Sequence, residues 1–153
     1  MLVVILSGLI GFEREKIHRP AGLRTHIIVG IGSLIFGLLS IRVFPHDPAR
    51  LLSGVVTGIG FLGAGTIFRE RELISGLTTA SSLWATAAVG LALALNEYFI
   101  AIFGSILVYS ILQLKHFHWF RELLGYDEKL YYESLKIKPK KNKNNKKQKK
   151  RRK

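Results

Sequence analysis

Four long stretches without a charged residue constrain this chain more than any other feature. They cover residues 25–41, 51–68, 73–96 and 98–114. A hydrocarbon core about 30 Å thick takes roughly 20 mostly apolar residues as a helix. Each stretch approaches or exceeds that length once flanking side chains snorkel toward water. Four of them in series, joined by short charged links, predict a polytopic helical membrane protein. A soluble bundle would need polar outer faces on its helices, and these stretches have none. The opening MLVVILSGLIGF, residues 1–12, reaches only about 18 Å as a helix. It is expected to be a short or truncated first transmembrane helix. The fold expected is therefore all-α, with about five transmembrane helices.

A net charge of +13 conflicts with 48% hydrophobic residues until the charge is located. Of the 23 Lys and Arg, 12 fall between Lys136 and Lys153, where there is no acid, leaving 11 against the 10 acids of the rest. The body is apolar and nearly neutral, and the basic excess is a tail. Three parts follow. Residues 1–115 form the transmembrane domain. Residues 116–138 form an interfacial or cytoplasmic segment, with Trp119 and Tyr126 suited to the headgroup level. Residues 139–153 form a disordered Lys-rich tail. A basic face built into a fold would point to nucleic acid, but a detachable tail argues against that partner. Cytoplasmic anionic lipid is nearer and attracts each Lys or Arg by about 1 kcal/mol; a merely solvated tail is simpler still. The absence of cysteine excludes disulfides, thiolate zinc sites and cysteine nucleophiles. Nothing resembles a cleaved signal peptide.

Orientation follows from Lys and Arg near the helix ends. The first link carries Arg14, Lys16, Arg19 and Arg24, and the third carries Arg69 and Arg71. The C-terminal side carries Lys115, Arg121 and the tail. The second link has Arg42 and Arg50, and the fourth has neither Lys nor Arg. Five spans put all the richer links on one face, with the N-terminus outside and the C-terminus cytoplasmic.

Residues 58–63, GIGFLG, match the G-x-G-x-x-G of dinucleotide sites. That motif needs a strand feeding a helix N-terminus and an acid about 20 residues on to hold the ribose. Here the glycines lie inside an apolar run, and Glu70 and Glu72 come too early. A nucleotide site is excluded. On a helix the same glycines make a packing surface. Gly54 and Gly58 form a G-x-x-x-G pair, with Gly60, Gly63 and Gly65 following, and small residues let membrane helices approach closely. In the next stretch Ser75, Thr79, Ser82 and Thr86 share one helical face. These hydroxyls can bond within their own helix or across to a neighbour, as packing or as the lining of a functional cleft.

Three blocks carry a family resemblance: GFEREKIHRPAGLRTH at 11–26, GIGFLGAGTIF at 58–68, and GLTTASSLW at 76–84, the last containing Thr78, Thr79 and Ser82. With these in order and at compatible spacing, the sequence resembles the MgtC/SapB family over roughly residues 8–114. The resemblance implies a multi-pass inner-membrane protein with a helical transmembrane domain. It implies a regulator rather than an enzyme, tied in some members to growth at low magnesium, survival inside host cells and restraint of the F-type ATP synthase. Such members carry a folded cytoplasmic C-terminal domain, whereas this chain ends in a short segment and the Lys-rich tail.

The candidate functional residues lie in and beside the links: Glu13, Arg14, Glu15, Arg24 and His26 in the first, Arg69 and Glu70 in the third. An acid ending one span and a base starting the next can neutralise each other where water is scarce; Glu13 with Arg24 is the pair expected. Solvated interfacial anchors are the plainer reading of the same charges. Magnesium wants oxygen ligands and sheds water reluctantly, yet every carboxylate sits at or outside a membrane edge. Glu13 and Glu15 do not share a helix face, no H-E-x-x-H occurs, and the histidines lack ligand spacing. No catalytic residue, metal set or cofactor is expected. The function expected is non-enzymatic regulation of another membrane complex, or self-association, in magnesium homeostasis. The alternative is a small transporter or channel for a cation such as Mg²⁺.

Overall fold

The computed structural model describes residues 1–70 and 73–114; the segment 116–138 and the tail 139–153 lie outside the described residues. Among the described residues there are five helices: α1 (Leu2–Lys16), α2 (Leu23–Val43), α3 (Pro48–Ala64), α4 (Leu77–Ala94) and α5 (Tyr98–Gln113). By length and composition α2 and α4 suffice to cross a membrane, while α3 and α5 are shorter apolar helices. Between α3 and α4 lie two short strands, β1 (Phe68–Glu70) and β2 (Leu73–Ser75), paired antiparallel with Arg69 opposite Ile74.

The helices end where local chemistry stops them. The last turn of α1 closes with Arg19 N–H on Arg14 O and His18 N–H on Glu15 O, with His18 at φ 55°. This is the paired bonding of a Schellman cap. The end of α4 repeats it, with Glu97 N–H on Ala92 O, Asn96 N–H on Leu93 O and Asn96 at φ 62°. Both links are therefore tight, which aligns successive helices antiparallel. Pro48 at the first turn of α3 removes an N–H that would otherwise go unpaired.

Two expectations about the elements need correction. Residues 66–68 and 73–75 were expected inside helical spans, but they leave the helices for the loop and the strand pair. Glycines at 60, 63 and 65 each weaken a helix by about 1 kcal/mol relative to Ala. Gly65 and Thr66 then close α3 with bonds to Phe61 O and Gly63 O, and Gly76 enters α4 at φ 92°. Ser75 consequently sits in β2, exposed, and off the hydroxyl face it was expected to share. Conversely, α1 continues through its charged residues to Lys16, so Glu13 and Arg14 belong to the bundle rather than to a link.

Burial is inverted relative to a soluble bundle. Along α2 the buried positions are His26, Gly30, Ser33, Gly37 and Ser40, while Ile28, Ile35, Phe36 and Leu39 are exposed. Along α5 the buried positions are Ala101, Ser105 and Leu112, and Phe99, Phe103, Ile106 and Ile111 face outward. Small and hydroxyl residues thus face the interior while large apolar ones cover the outside, as packing in lipid requires. Helix α4 lies at the centre, in contact with all four other helices. Gly90 of α4 crosses Gly30 of α2 backbone to backbone, and Ala94 packs on Gly37. An apolar cluster of Val3, Leu6, Val89, Leu93 and Ala101 fills the end of the bundle where α1 begins and α4 finishes.

Candidate functional site

The opposite end of the bundle holds the buried charged groups, Glu13 and Arg14, and the buried His26. There the C-terminal turn of α1, the start of α2 and the start of α4 converge. The approach is close because Gly11 of α1 lies against His26 and Leu23 of α2, where an added Cβ would come to 2.9 Å of each. Glu13 is 2% exposed and Arg14 3%. Arg14 Nη1 donates to Glu13 Oε2 at 3.3 Å, and Nη2 donates across to Thr79 Oγ1 of α4 at 3.2 Å. Glu13 Oε1 and Arg14 Nε have no partner. A buried ion pair is repaid for its desolvation only when its remaining donors and acceptors are bonded, and this one is incompletely bonded.

His26 is buried beside it. Its Nδ1 lies 2.8 Å from Gly22 O, and its Nε2 lies 3.1 Å from Ser82 Oγ. Ser82 Oγ also lies 2.8 Å from Thr79 O. A hydroxyl has one proton to give. If Ser82 donates to Thr79 O, both imidazole nitrogens must donate and the ring is cationic. If the ring is neutral with its proton on Nδ1, Ser82 must donate to Nε2 and release Thr79 O. The serine rotor and the histidine proton are therefore coupled. Thr86 continues the face, donating to Ser82 O at 2.8 Å.

The remaining sequence candidates are placed as follows. Arg24 is exposed, so the pairing expected between it and Glu13 is not made; Arg14, the next residue along α1, takes the carboxylate instead. Glu15 reaches over the turn, its Oε2 accepting the Leu23 N–H at 2.9 Å. This caps the N-terminus of α2, where a negative charge suits the free N–H groups. Thr78 is exposed while its neighbour Thr79 is buried. Arg69 is exposed on β1, and of Glu70 the backbone, paired with Leu73, is described. Among the described residues no three His, Asp or Glu side chains are grouped to hold a metal ion.

A second feature lies on α3. An added Cβ at Gly54, Gly58 or Gly60 would meet nothing within 4 Å, whereas Gly63 rests on Ala80 of α4 and Gly65 on its own helix. Gly63 is the one buried residue of α3. Beside it Ser53, Thr57, Phe61 and Ala64 are exposed, Phe61 at 88%. Between α2 and α3 an open groove of about 370 Å³ is lined by Val29, Gly32, Phe36, Gly54, Val55 and Gly58. Of the glycines singled out from the sequence, Gly54, Gly58 and Gly60 thus form a surface that no other helix among the described residues covers, whereas Gly63 packs on α4. Other glycines that pack helices, Gly30, Gly37 and Gly90, were missed. Their signal was present in α2, where His26, Gly30, Ser33, Gly37 and Ser40 alternate at spacings of four and three.

A helical bundle with polar groups inside and large apolar side chains outside defines an α-helical membrane protein. The MgtC family model matches residues 1–119, and the chain belongs to the MgtC family. It is similar to the protein named "Putative magnesium transporter YhiD" of Escherichia coli K12, with 39% identity over 130 residues, 79% of this chain and 60% of that one. It is similar to protein MgtC of Salmonella typhimurium LT2, with 40% identity over 108 residues, 71% of this chain and 47% of that one. Protein MgtC of Brucella abortus is 51% identical over 87 residues, 56% of this chain and 37% of that one. The chain therefore spans between about a third and three fifths of the length of these relatives. No solved structure gives a significant match.

Proposed function

We propose that this protein is a non-enzymatic, multi-pass protein of the inner membrane that acts by helix–helix contact with another membrane complex, in the response of the cell to low magnesium. The observation that carries this reading is the bare small-residue face of α3. Gly54, Gly58 and Gly60 meet nothing within 4 Å. Helices in lipid associate through such faces, because close backbone approach replaces the missing hydrophobic drive. The magnesium connection rests on the family and on the name carried by YhiD. Rotary ATP synthase is the candidate complex, and the Lys and Arg bias of the links supports a cytoplasmic C-terminus.

The test is ATP-driven proton pumping in inverted membrane vesicles with and without the protein, with Gly60→Leu as comparison. The expected result is reduced pumping with wild type and normal pumping with Gly60→Leu, while insertion is unchanged and crosslinking to the complex is lost. Coincident traces at equal expression would remove ATP synthase as the target, and crosslinking that survives Gly60→Leu would remove this face of α3.

A second reading, cation transport, is favoured by the name of YhiD and by the buried carboxylate of Glu13. Against it, Arg14 already neutralises Glu13, and a magnesium ion would need several further oxygen ligands or retained waters. Transport predicts that Glu13→Gln alters magnesium flux into liposomes containing the purified protein. Contact regulation predicts no flux with either variant.

A further inference from the structure

On the flank away from its groove with α2, helix α3 leaves an open crease against α4. The floor is one stripe of α4, in which Ser81, Trp84, Ala88, Ala92 and Leu95 follow at spacings of three and four. Val56, Gly60 and Gly63 of α3 form the wall. Two stretches of about 320 and 330 Å³ share Ile59 and Trp84, which makes the crease continuous. From Ser81 to Leu95 it runs about 21 Å at the helical rise. Gly63 rests on Ala80, so the two helices already touch and the space between them is narrow. Another helix, about 10–12 Å across, would need several times that room, whereas one extended hydrocarbon chain fits it. Trp84, 53% exposed, stands along its length.

The Ser81 end of the crease lies one turn from the N-terminus of α4. There Gly76 has no side chain to cap the helix, and no acid stands in the first turn. The N–H groups of Leu77, Thr78 and Thr79 find no acceptor among the described residues. Such groups suit a phosphate. Arg14, 3% exposed, lays its guanidinium on Thr79 in that same turn, and its Nε has no partner. The acids described nearby are occupied, Glu13 by Arg14 and Glu15 by the start of α2, while Arg19, Arg24 and Arg69 are exposed at this end. We propose that the crease is a lipid site, in which one acyl chain of an anionic phospholipid lies along α4 from Ser81 and its phosphate caps the first turn of α4. A zwitterionic lipid carries the same phosphate with a cation attached. The arginines at this end repel that cation, so the site prefers the anionic lipid.

The chain has two tryptophans, Trp84 and Trp119, so Trp119→Phe leaves a single reporter in the crease. Lipids brominated midway along an acyl chain quench tryptophan on contact. Trp84 lies about 10 Å from the start of α4, inside the half-thickness of about 15 Å of a hydrocarbon core, and so within reach of the bromines. The full-length chain is placed in phosphatidylcholine liposomes with a minor fraction of brominated phosphatidylglycerol or brominated phosphatidylcholine. No other protein is present, so the result is independent of the contact proposed for α3. Phosphatidylglycerol should compete for Trp84 about fivefold better, the scale of a charge at a helix terminus. Thr78→Asp puts a carboxylate in the exposed first turn, which suits the helix but repels a phosphate, and the ratio should fall to about one. Ile106 is 50% exposed on α5, away from the crease and at similar depth. Moving the reporter there, as Trp84→Phe with Ile106→Trp, should also give about one. Equal competition by the two lipids at Trp84 would overturn the proposal. So would a Trp84 that neither lipid quenches, because protein would then fill the crease. A preference that survives Thr78→Asp would remove the phosphate from α4 and overturn the site. The same preference at Ile106→Trp would make it bulk enrichment by the Lys-rich tail, with the same consequence.

Discussion

Glycine does opposite things at different positions of this chain. At Gly90 a Cβ would run into the carbonyl oxygen of Gly30 and come to 3.1 Å of Leu34 N. Both obstacles are backbone and cannot rotate away, so α2 and α4 must separate. Gly90→Ala should therefore cost about 1–3 kcal/mol, the usual range for overpacking a filled interior. At Gly54 the same methyl meets nothing, and removing a helical glycine stabilises by about 0.5–1 kcal/mol. Gly54→Ala should be neutral or slightly stabilising. The check is the midpoint of denaturant-induced unfolding in detergent, and equal effects of the two substitutions would contradict the packing described. The sequence reading assigned packing to Gly54, Gly58, Gly60, Gly63 and Gly65 because the stripe is regular there, and of these Gly63 meets another helix, at Ala80. Regular spacing shows that a face is small, but which face a neighbour occupies depends on how three other helices are arranged. For the same reason Glu13 was legible as a site candidate while its ion-pair partner was not. Arg24 and Arg14 are both within reach in sequence, and only the direction of α1 past its twelfth residue selects Arg14.

At the scale of elements, the apolar runs identified all five helices, because length and absence of charge are what a membrane helix needs. They misplaced the ends around the hairpin. Residues 66–68 and 73–76 are as apolar as a span, and hydropathy is blind to hydrogen bonding. What separates strand from helix there is the run of glycines and the single conformation of Gly76. At φ 92° a side chain is strained, and a Cβ would strike the carbonyl of Thr66. Gly76→Ala should lower stability by about 1–3 kcal/mol. It should also free the start of α4, exposing Thr79 and Ser82. Hydrogen exchange in detergent would show the loss as faster exchange at the first turns of α4 and at β1 and β2, with the far end of α4 unaffected. Protection unchanged at the hairpin would mean that Gly76 does not set the entry angle of α4.

For the whole molecule, the interior contacts fix which helix ends lie together. Arg14 reaches Thr79, His26 reaches Ser82, and Gly63 rests on Ala80. These join the end of α1, the start of α2, the end of α3 and the start of α4 on one side. Gly37 against Ala94, and Val3 with Leu93 and Ala101, join the other helix ends on the opposite side. The two basic links, around Arg19 and Arg69, thus share one end of the bundle, and the links around His46 and Asn96 share the other. The Lys and Arg bias read from the sequence predicts that the first end is cytoplasmic. Single cysteines placed at His18, Arg69, His46 and Asn96, all exposed, test this with an impermeant thiol reagent applied to either face of the membrane. His18→Cys and Arg69→Cys should label from the cytoplasmic face, and His46→Cys and Asn96→Cys from the other. A cysteine inserted after Met1 decides the remaining issue. At 15 residues α1 is about 22 Å long, shorter than a relaxed bilayer core, yet it packs against α2, α4 and α5. If α1 crosses, the inserted thiol labels with His46→Cys and the bundle has five crossings. If it labels with His18→Cys, the packing of Val3 with Leu93 and Ala101 at the opposite end of the bundle is contradicted.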